Sequence, residues 1–163
     1  MDSTTQQILQ ILERDARTSA ADIATMVGVA EDEVRRIIRD CEENKIIRRY
    51  KTVIDWQRAG KDEAVAFIGV RVSPEREVGF DEVAARIFRF PEVRAVYLLS
   101  GGHDLEVVIE GPSLKDVALF VAQKLATLDR VISTNTHFLL RRYKEDGEIL
   151  VEPEEDRRLA VTP

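Results

Sequence analysis

The chain has 163 residues, a formal net charge of −6 at pH 7 and an apolar content of 44%. This composition is typical of a soluble globular protein with room for two small domains; it contains no run of 18 apolar residues that would predict a membrane span, and its polar N-terminus lacks the pattern of a signal peptide. The single cysteine, Cys41, excludes an intrachain disulfide framework and a cysteine-based zinc site, so we expect a reducing, cytoplasmic location.

Two helices are predicted at the start of the chain. The first begins at a capping-box pattern formed by Ser3 and Gln6, in which two side chains satisfy exposed backbone N–H groups. The second begins at Ser19 and turns Met26 toward the core. It ends at Gly28, because glycine readily adopts the positive φ of a helix C-terminus.

A third predicted helix follows closely and leads into a short hairpin. Its apolar residues recur at helical spacing and form one buried stripe: Val34, Ile37, Ile38 and Cys41. Asn44 is the expected stop, and residues 46–50 and 52–54 are expected to form two strands. Helices two and three at this spacing predict a helix-turn-helix with the hairpin as its wing, so that residues 1–55 form a winged helix-turn-helix domain.

Residues 56–62 lose periodicity and are predicted to be a linker, in which Trp56 anchors the segment against a domain. Residues 63–143 predict a second domain. Its expected elements are a strand at 64–72, a helix at 80–88, strands at 93–99 and 105–110, a helix capped by Ser113 and a strand at 131–140. The order β-α-β-β-α-β predicts a ferredoxin-like α+β fold with both helices on one face of an antiparallel sheet. Residues 144–163 are predicted to be a charged, peripheral tail.

The second face of this sheet also carries apolar or small residues. On one strand parity these are Val65, Phe67, Gly69, Ala95, Tyr97 and Leu99. A sheet that is apolar on both faces is expected to be covered by another subunit, so we predict a homodimer formed through this face.

The exposed face of the third helix is the candidate DNA-binding surface. It carries Arg35, Arg36 and Arg39, whose planar guanidinium groups suit guanine edges and phosphates, and the hairpin adds Arg48, Arg49 and Lys51. The acidic residues at positions 31–33 stabilise the helix start but repel phosphates. Residues 1–60 carry 10 basic and 11 acidic residues, so most of the acidic excess lies elsewhere. A solvated helix face or a protein-binding surface is the alternative on the pattern alone.

A second candidate site is the glycine-containing turn formed by Ser100, Gly101, Gly102, His103 and Asp104. Its glycines allow a ligand to approach the backbone closely, and a carboxylate suits an ammonium group; an ordinary hairpin turn is the alternative reading. No catalytic or metal-binding motif accompanies it, because His103 and His137 lack the spacing of a metal site and the chain has no nucleophile elbow, P-loop or dinucleotide fingerprint. We therefore predict no enzyme activity, metal or cofactor.

Taken together, the two halves resemble the Lrp/AsnC family of leucine-responsive, "feast/famine" transcription regulators. The resemblance covers about residues 3–143 and rests on the first helix, on the stretch from Asn44 into the segment ending at Asp55, and on Gly101, Gly102 and Asp104 after the strand at 93–99. Each piece is moderately specific, whereas their order and spacing together are strongly so.

The resemblance implies a C-terminal effector domain of the RAM type and dimers that bind double-stranded DNA and associate further into tetramers or octamers. It places a small effector, usually an amino acid, at the turn of residues 100–104, and it makes the third helix the recognition helix through Asp32, Arg35, Arg36 and Arg39. The acidic helix start departs from the Ser, Pro and Thr common in the family. Two alternatives stay open: an effector-sensing oligomer whose N-terminal unit binds protein, and a sirohaem-decarboxylase-like enzyme, for which the expected haem-site segments are missing.

Overall fold

The fold is described by a computed structural model over residues 1–61, 63–73 and 79–151. The chain divides into two compact units, Met1–Val53 and Ile54–Pro163, called here the N-terminal and the C-terminal unit. No helix among the described residues is both long enough and apolar enough to cross a membrane.

The N-terminal unit consists of three helices around a small apolar core. The helices are α1 (Ser3–Arg14), α2 (Ala20–Val27) and α3 (Glu31–Glu43). Their buried side chains are Ile8, Leu12, Ile23, Ala24, Val34, Ile37 and Cys41. Because each helix contributes one apolar stripe, the three helices can bury these side chains only by packing together.

The cap of α1 differs from the predicted one. Asp2, not Ser3, is the N-cap, and its carboxylate accepts hydrogen bonds from the backbone N–H of Thr5 at 2.7 Å and from the Thr5 hydroxyl at 3.1 Å. Both residue types cap helices well, but an ionised carboxylate accepts the stronger, charge-assisted bond.

The start and the end of α2 are confirmed, whereas its predicted inner face is partly wrong. The Ser19 hydroxyl accepts from the N–H of Asp22 at 3.1 Å, and Gly28 ends the helix at φ +77°. Met26, predicted to face the core, is 66% exposed. The stripe that packs inward is Ala20, Ile23, Ala24 and Val27, with spacing i, i+3, i+4 and i+7, and Met26 lies to one side of it.

The third helix has the predicted buried stripe, but the two strands expected after it are not formed. Over residues 44–61 the chain has no strand. The two expected strands were separated by Lys51 alone, whereas hairpin loops need at least two residues. The segment folds back onto α3 instead, because the N–H groups of Ile46 and Ile47 both bond to the carbonyl of Cys41, at 2.8 and 3.0 Å.

The C-terminal unit has the predicted ferredoxin-like order. Its elements are β1 (Ala64–Val72), α4 (Phe80–Ile87), β2 (Val93–Leu98), β3 (Leu105–Gly111), α5 (Leu114–Phe120), a π-helical turn (Val121–Leu125) and β4 (Val131–Phe138). The sheet is antiparallel with strand order β2-β3-β1-β4, so the first strand lies in the interior of the sheet. Two very short strands follow, β5 (Lys144–Glu145) and β6 (Glu148–Ile149), which pair with each other within the segment predicted to be a tail.

The core of this unit lies between the two helices and one face of the sheet. Alternate residues of β1 and β3 are fully or nearly fully buried against α4 and α5: Ala66, Ile68, Val70, Val72, Leu105, Val107 and Ile109. The opposite parity forms what we call the open sheet face: Phe67, Gly69, Tyr97, Glu106, Val108, Asn135 and His137. Phe67 and Tyr97 are 38% and 55% exposed, so within the described part of the chain the middle of this face is only partly covered, whereas Val65 at one end of it is buried.

Candidate DNA-binding helix and effector turn

The three arginines predicted to contact DNA all lie exposed on α3, but they differ in their partners. Arg35 is paired with Glu31 one turn earlier, with its Nε 2.9 Å from the Glu31 carboxylate. Arg36 lies between two carboxylates, 3.4 Å from Asp40 and 3.9 Å from Glu33. Among the described residues Arg39 has no ion pair. The acidic helix start therefore partly neutralises two of the three candidate guanidinium groups.

These ion pairs are weak because they lie in water. The side chains of Arg35 and Arg36 are 56% and 60% exposed, and an exposed i,i+4 pair contributes about 0.3–0.5 kcal/mol. A phosphate can thus displace either carboxylate at small cost. Asp32, the remaining predicted recognition residue, is exposed in the first turn of α3 and has no ion pair within the part of the chain that the structure describes.

The basic residues predicted for the wing lie on irregular backbone. Arg48 and Arg49 are exposed and line a shallow groove together with Leu9 and Leu12 of α1. Tyr50 next to them donates a hydrogen bond to the Glu42 carboxylate at 2.8 Å, which ties the segment to the end of α3. Lys51 is exposed one residue further on. The structure therefore keeps these cations in the N-terminal unit without the hairpin that was expected to carry them.

The turn of residues 100–104 joins β2 to β3 and is anchored by Asp104. The Asp104 carbonyl accepts from the N–H of Leu99 at 2.9 Å, and its own N–H donates to the carbonyl of Val70 at 3.0 Å. Its carboxylate accepts from the N–H of Val72 at 2.8 Å, where β1 shifts register. One carboxylate oxygen thus has a structural role in addition to any contact with a ligand.

The two turn glycines face open space. A Cβ placed on Gly101 or Gly102 would meet no atom within 4 Å, so packing does not require glycine at either position. The carbonyl of Gly102 accepts from the Arg71 guanidinium at 3.1 Å. The turn therefore offers accessible backbone while its flanks are held to β1.

The imidazole of His103 lies against the open sheet face. A Cβ added to Gly69 would come within 2.8 Å of the ring atoms Cγ and Nδ1, and the ring Nε2 is 2.6 Å from a carboxylate oxygen of Glu106. Gly69, Glu106 and Arg71 were not predicted as site residues, although a glycine inside a β-branched strand is a signal of close approach. The other histidine, His137, contacts Asn135 at 3.1 Å, and the described residues contain no cluster of three metal-ligating side chains.

Trp56, the expected linker anchor, lines a cleft of the C-terminal unit together with Val65, Leu139 and Leu150. The ammonium of Lys61 lies 4.7 Å from the centroid of its ring. The indole therefore packs within this unit, in agreement with an anchoring role.

Comparison with known proteins finds similarity to Lrp/AsnC-type transcriptional regulators in both units of the chain. A family model of the AsnC-type helix-turn-helix domain matches residues 1–40, and a model of the Lrp/AsnC ligand binding domain matches residues 65–149. The chain is 49% identical over 158 residues to the uncharacterized HTH-type transcriptional regulator YugG of Bacillus subtilis, covering 96% of this chain and 95% of that protein. It is 33% identical over 144 residues to the HTH-type transcriptional regulator LrpA of Pyrococcus abyssi, covering 88% of this chain and 99% of that one.

Solved structures show the same fold. A transcriptional regulator of Neisseria meningitidis in complex with L-Met matches with a TM-score of 0.70 at 22% identity, covering 94% of this chain and 96% of that chain. The leucine response regulatory protein LrpA of Mycobacterium tuberculosis matches with a TM-score of 0.75 at 20% identity, covering 91% and 98%.

Proposed function

This chain belongs to the Lrp/AsnC family of transcriptional regulators, and from that premise we propose that it binds double-stranded DNA through α3 and responds to an amino acid at the turn of residues 100–104. The observation that carries the DNA-binding half is the exposed arginine face of α3, with Arg39 as its most available cation. Asp32, Arg48, Arg49 and Lys51 are proposed as supporting contacts.

The DNA-binding half is tested with Arg35→Ala combined with Arg39→Ala, using fluorescence anisotropy on DNA from upstream of the protein's own gene. We expect affinity to fall strongly, because each arginine that neutralises a phosphate releases counterions. The matched control is Arg89→Ala with Lys115→Ala, which removes the same charge from exposed positions in the C-terminal unit. Equal losses in both variants would contradict the assignment of α3.

Salt dependence separates DNA binding from the protein-binding alternative. A regulator that neutralises several phosphates loses affinity steeply with salt, by about 0.9 in the logarithmic slope per phosphate. A slope near zero for the wild-type protein would favour an N-terminal unit that binds protein. We propose no catalytic step and no cofactor, since the curated relatives are named as transcriptional regulators, and we propose a cytoplasmic location.

The effector half rests on the accessible glycines of the turn and on the carboxylate of Asp104 beside them. The L-Met complex of the Neisseria relative supports an amino acid as the class of ligand. Calorimetric titration with each of the twenty amino acids tests it, with DNA affinity measured in parallel. No heat with any amino acid would contradict this half of the proposal.

We further propose that two copies pair through the open sheet face and that these dimers associate into tetramers or octamers. The half-exposed Phe67 and Tyr97 support the pairing, because an apolar sheet face of a small domain is favourably buried by a second copy. Analytical ultracentrifugation of wild type and Phe67→Glu tests it. A wild-type monomer at micromolar concentration would contradict it.

A further inference from the structure

We propose that Gly69, a residue of β1 outside the turn, is a positioning residue for the effector site. Because glycine has no side chain, the His103 ring packs directly onto Gly69, and this contact, called here the seat, holds the turn of residues 100–104. The inference rests on the proposed effector function of that turn. It adds a residue 34 positions away in sequence that determines how well the turn is prepared to bind.

The first step is the absence of room above Gly69. A Cβ at this position would lie 2.8 Å from both Cγ and Nδ1 of His103 and 3.1 Å from its Cδ2. Real Cβ atoms essentially never approach other atoms this closely. Cγ lies on the Cβ–Cγ axis, so turning the ring about that bond leaves the contact in place and the side chain itself must move. Alanine at position 69 therefore forces the whole imidazole away from the sheet.

The second step is that the imidazole cannot move alone. Its Nε2 lies 2.6 Å from the Glu106 carboxylate, which stands directly opposite Gly69 in the register of β1 and β3. On either side of His103 the chain is also tied to β1: the Gly102 carbonyl accepts from Arg71, and the Asp104 N–H donates to the carbonyl of Val70. Displacing the ring thus strains or breaks the contacts that hold the turn.

The third step connects the seat to ligand affinity. A Cβ on Gly101 or Gly102 would meet no atom within 4 Å, so side-chain packing does not fix this part of the turn. Its conformation therefore depends on the contacts at His103 and Asp104 and on the bond from Arg71 to the Gly102 carbonyl. A binding loop that is held in place before the ligand arrives loses less conformational entropy on binding. The His103 seat supplies that order, and Gly69 makes the seat possible.

The test is a double-mutant cycle on the full chain, read by calorimetry with the amino acid that gives the largest heat in the wild type. We expect Gly69→Ala to weaken binding at least tenfold and His103→Ala to weaken it by a similar factor. The double variant should bind no more weakly than His103→Ala, because without the ring the added Cβ meets nothing. Additive losses would overturn the proposal. His103→Ala and the double variant both relieve the clash, so the cycle stays informative even if Gly69→Ala folds poorly.

A matched control and a ligand-free measurement complete the design. Gly79→Ala makes the same chemical change in the same unit at a position where a Cβ would meet no atom within 4 Å, and it should bind like the wild type. In ¹H–¹⁵N spectra without ligand, Gly69→Ala should shift the amide resonances of Gly101 and Gly102, and Gly79→Ala should not. Unchanged turn resonances in Gly69→Ala contradict the seat itself, whereas a wild type that binds no amino acid contradicts the proposed effector function.

Discussion

We expect Glu31→Gln to release the Arg35 guanidinium that Glu31 holds on the surface of α3, and thereby to make the protein less stable and tighter-binding at once. The stability loss has two parts. The exposed i,i+4 ion pair contributes about 0.3–0.5 kcal/mol, and a carboxylate in the first turn of a helix contributes about 0.3–1 kcal/mol through the helix dipole. The free energy of unfolding should therefore fall by about 0.6–1.5 kcal/mol.

The gain in DNA affinity follows from removing the carboxylate that competes with a phosphate for Arg35. The wild-type complex loses the ion pair of about 0.3–0.5 kcal/mol when DNA binds. Glu31→Gln has no such pair to lose, so its DNA affinity should rise by about twofold. Fluorescence anisotropy measures the affinity, and urea unfolding measures the stability.

Glu43→Gln is the matched control for this prediction. Glu43 lies at the other end of the same helix, is exposed, and has no ion pair among the described residues, so its replacement changes the net charge without freeing an arginine. If both variants tighten binding equally, the effect is one of net charge. The reasoning about Arg35 would then be refuted.

Three further outcomes are expected. Gly28→Ala should lower the free energy of unfolding by about 1–2 kcal/mol in urea, because φ at this position is +77° and a Cβ disfavours that conformation. Asp104→Ala should cost about 1–3 kcal/mol in thermal unfolding, because it leaves the N–H of Val72 without its acceptor, whereas Asp104→Asn keeps an acceptor there. Partial burial and the Glu42 carboxylate raise the pKa of Tyr50 from 10.0 to about 12. Because the folded state then holds the phenol proton more tightly than the unfolded state, the free energy of unfolding should fall as pH rises from 10 to 12, and Tyr50→Phe should remove that part of the fall.

Each of these three predictions would be contradicted by a specific result. A Gly28→Ala variant as stable as the wild type would mean that the turn between α2 and α3 can relax out of the positive-φ conformation. Equal stability of the alanine and asparagine variants at position 104 would remove the structural role of that carboxylate. Spectrophotometric titration that finds Tyr50 ionising near pH 10 would show that its contact with Glu42 is absent in solution.

Elements defined by local periodicity could be predicted from sequence, and this covers most of the fold. The alternation along β1 and β3 and the stripe of α3 determine which side chains can be buried together, and the order of strands and helices then leaves few topologies. The prediction of a hairpin after α3 was wrong because the backbone there has other partners. The N–H groups of Ile46 and Ile47 bond to the carbonyl of Cys41, and such a competing bond has no signature in a strand pattern.

The candidate sites show the same difference between features that are local in sequence and contacts between distant residues. The arginines of α3 and the glycines of the turn are local features, and both were predicted. The contact of Gly69 with His103 is between residues on different strands, so it depends on register and on the bend of the turn. A single sequence contains no measure of that distance, and Gly69 alone predicts only that something approaches the strand closely.

The strand order has a consequence for how the protein is made. β1 lies between β3 and β4, yet it leaves the ribosome before either of them. The end of β1 and the end of β4 are 66 residues apart, so at about 5–20 residues per second the nascent strand waits about 3–13 s for its second neighbour. During that time Ala66, Ile68 and Val70 lack part of the structure that buries them. The three helices of the N-terminal unit make all their mutual contacts within residues 1–53, which precede β1, so this unit can fold in the same interval. Synthesis therefore produces a complete three-helix unit attached to an unfinished sheet, in which the apolar face of β1 is only partly covered.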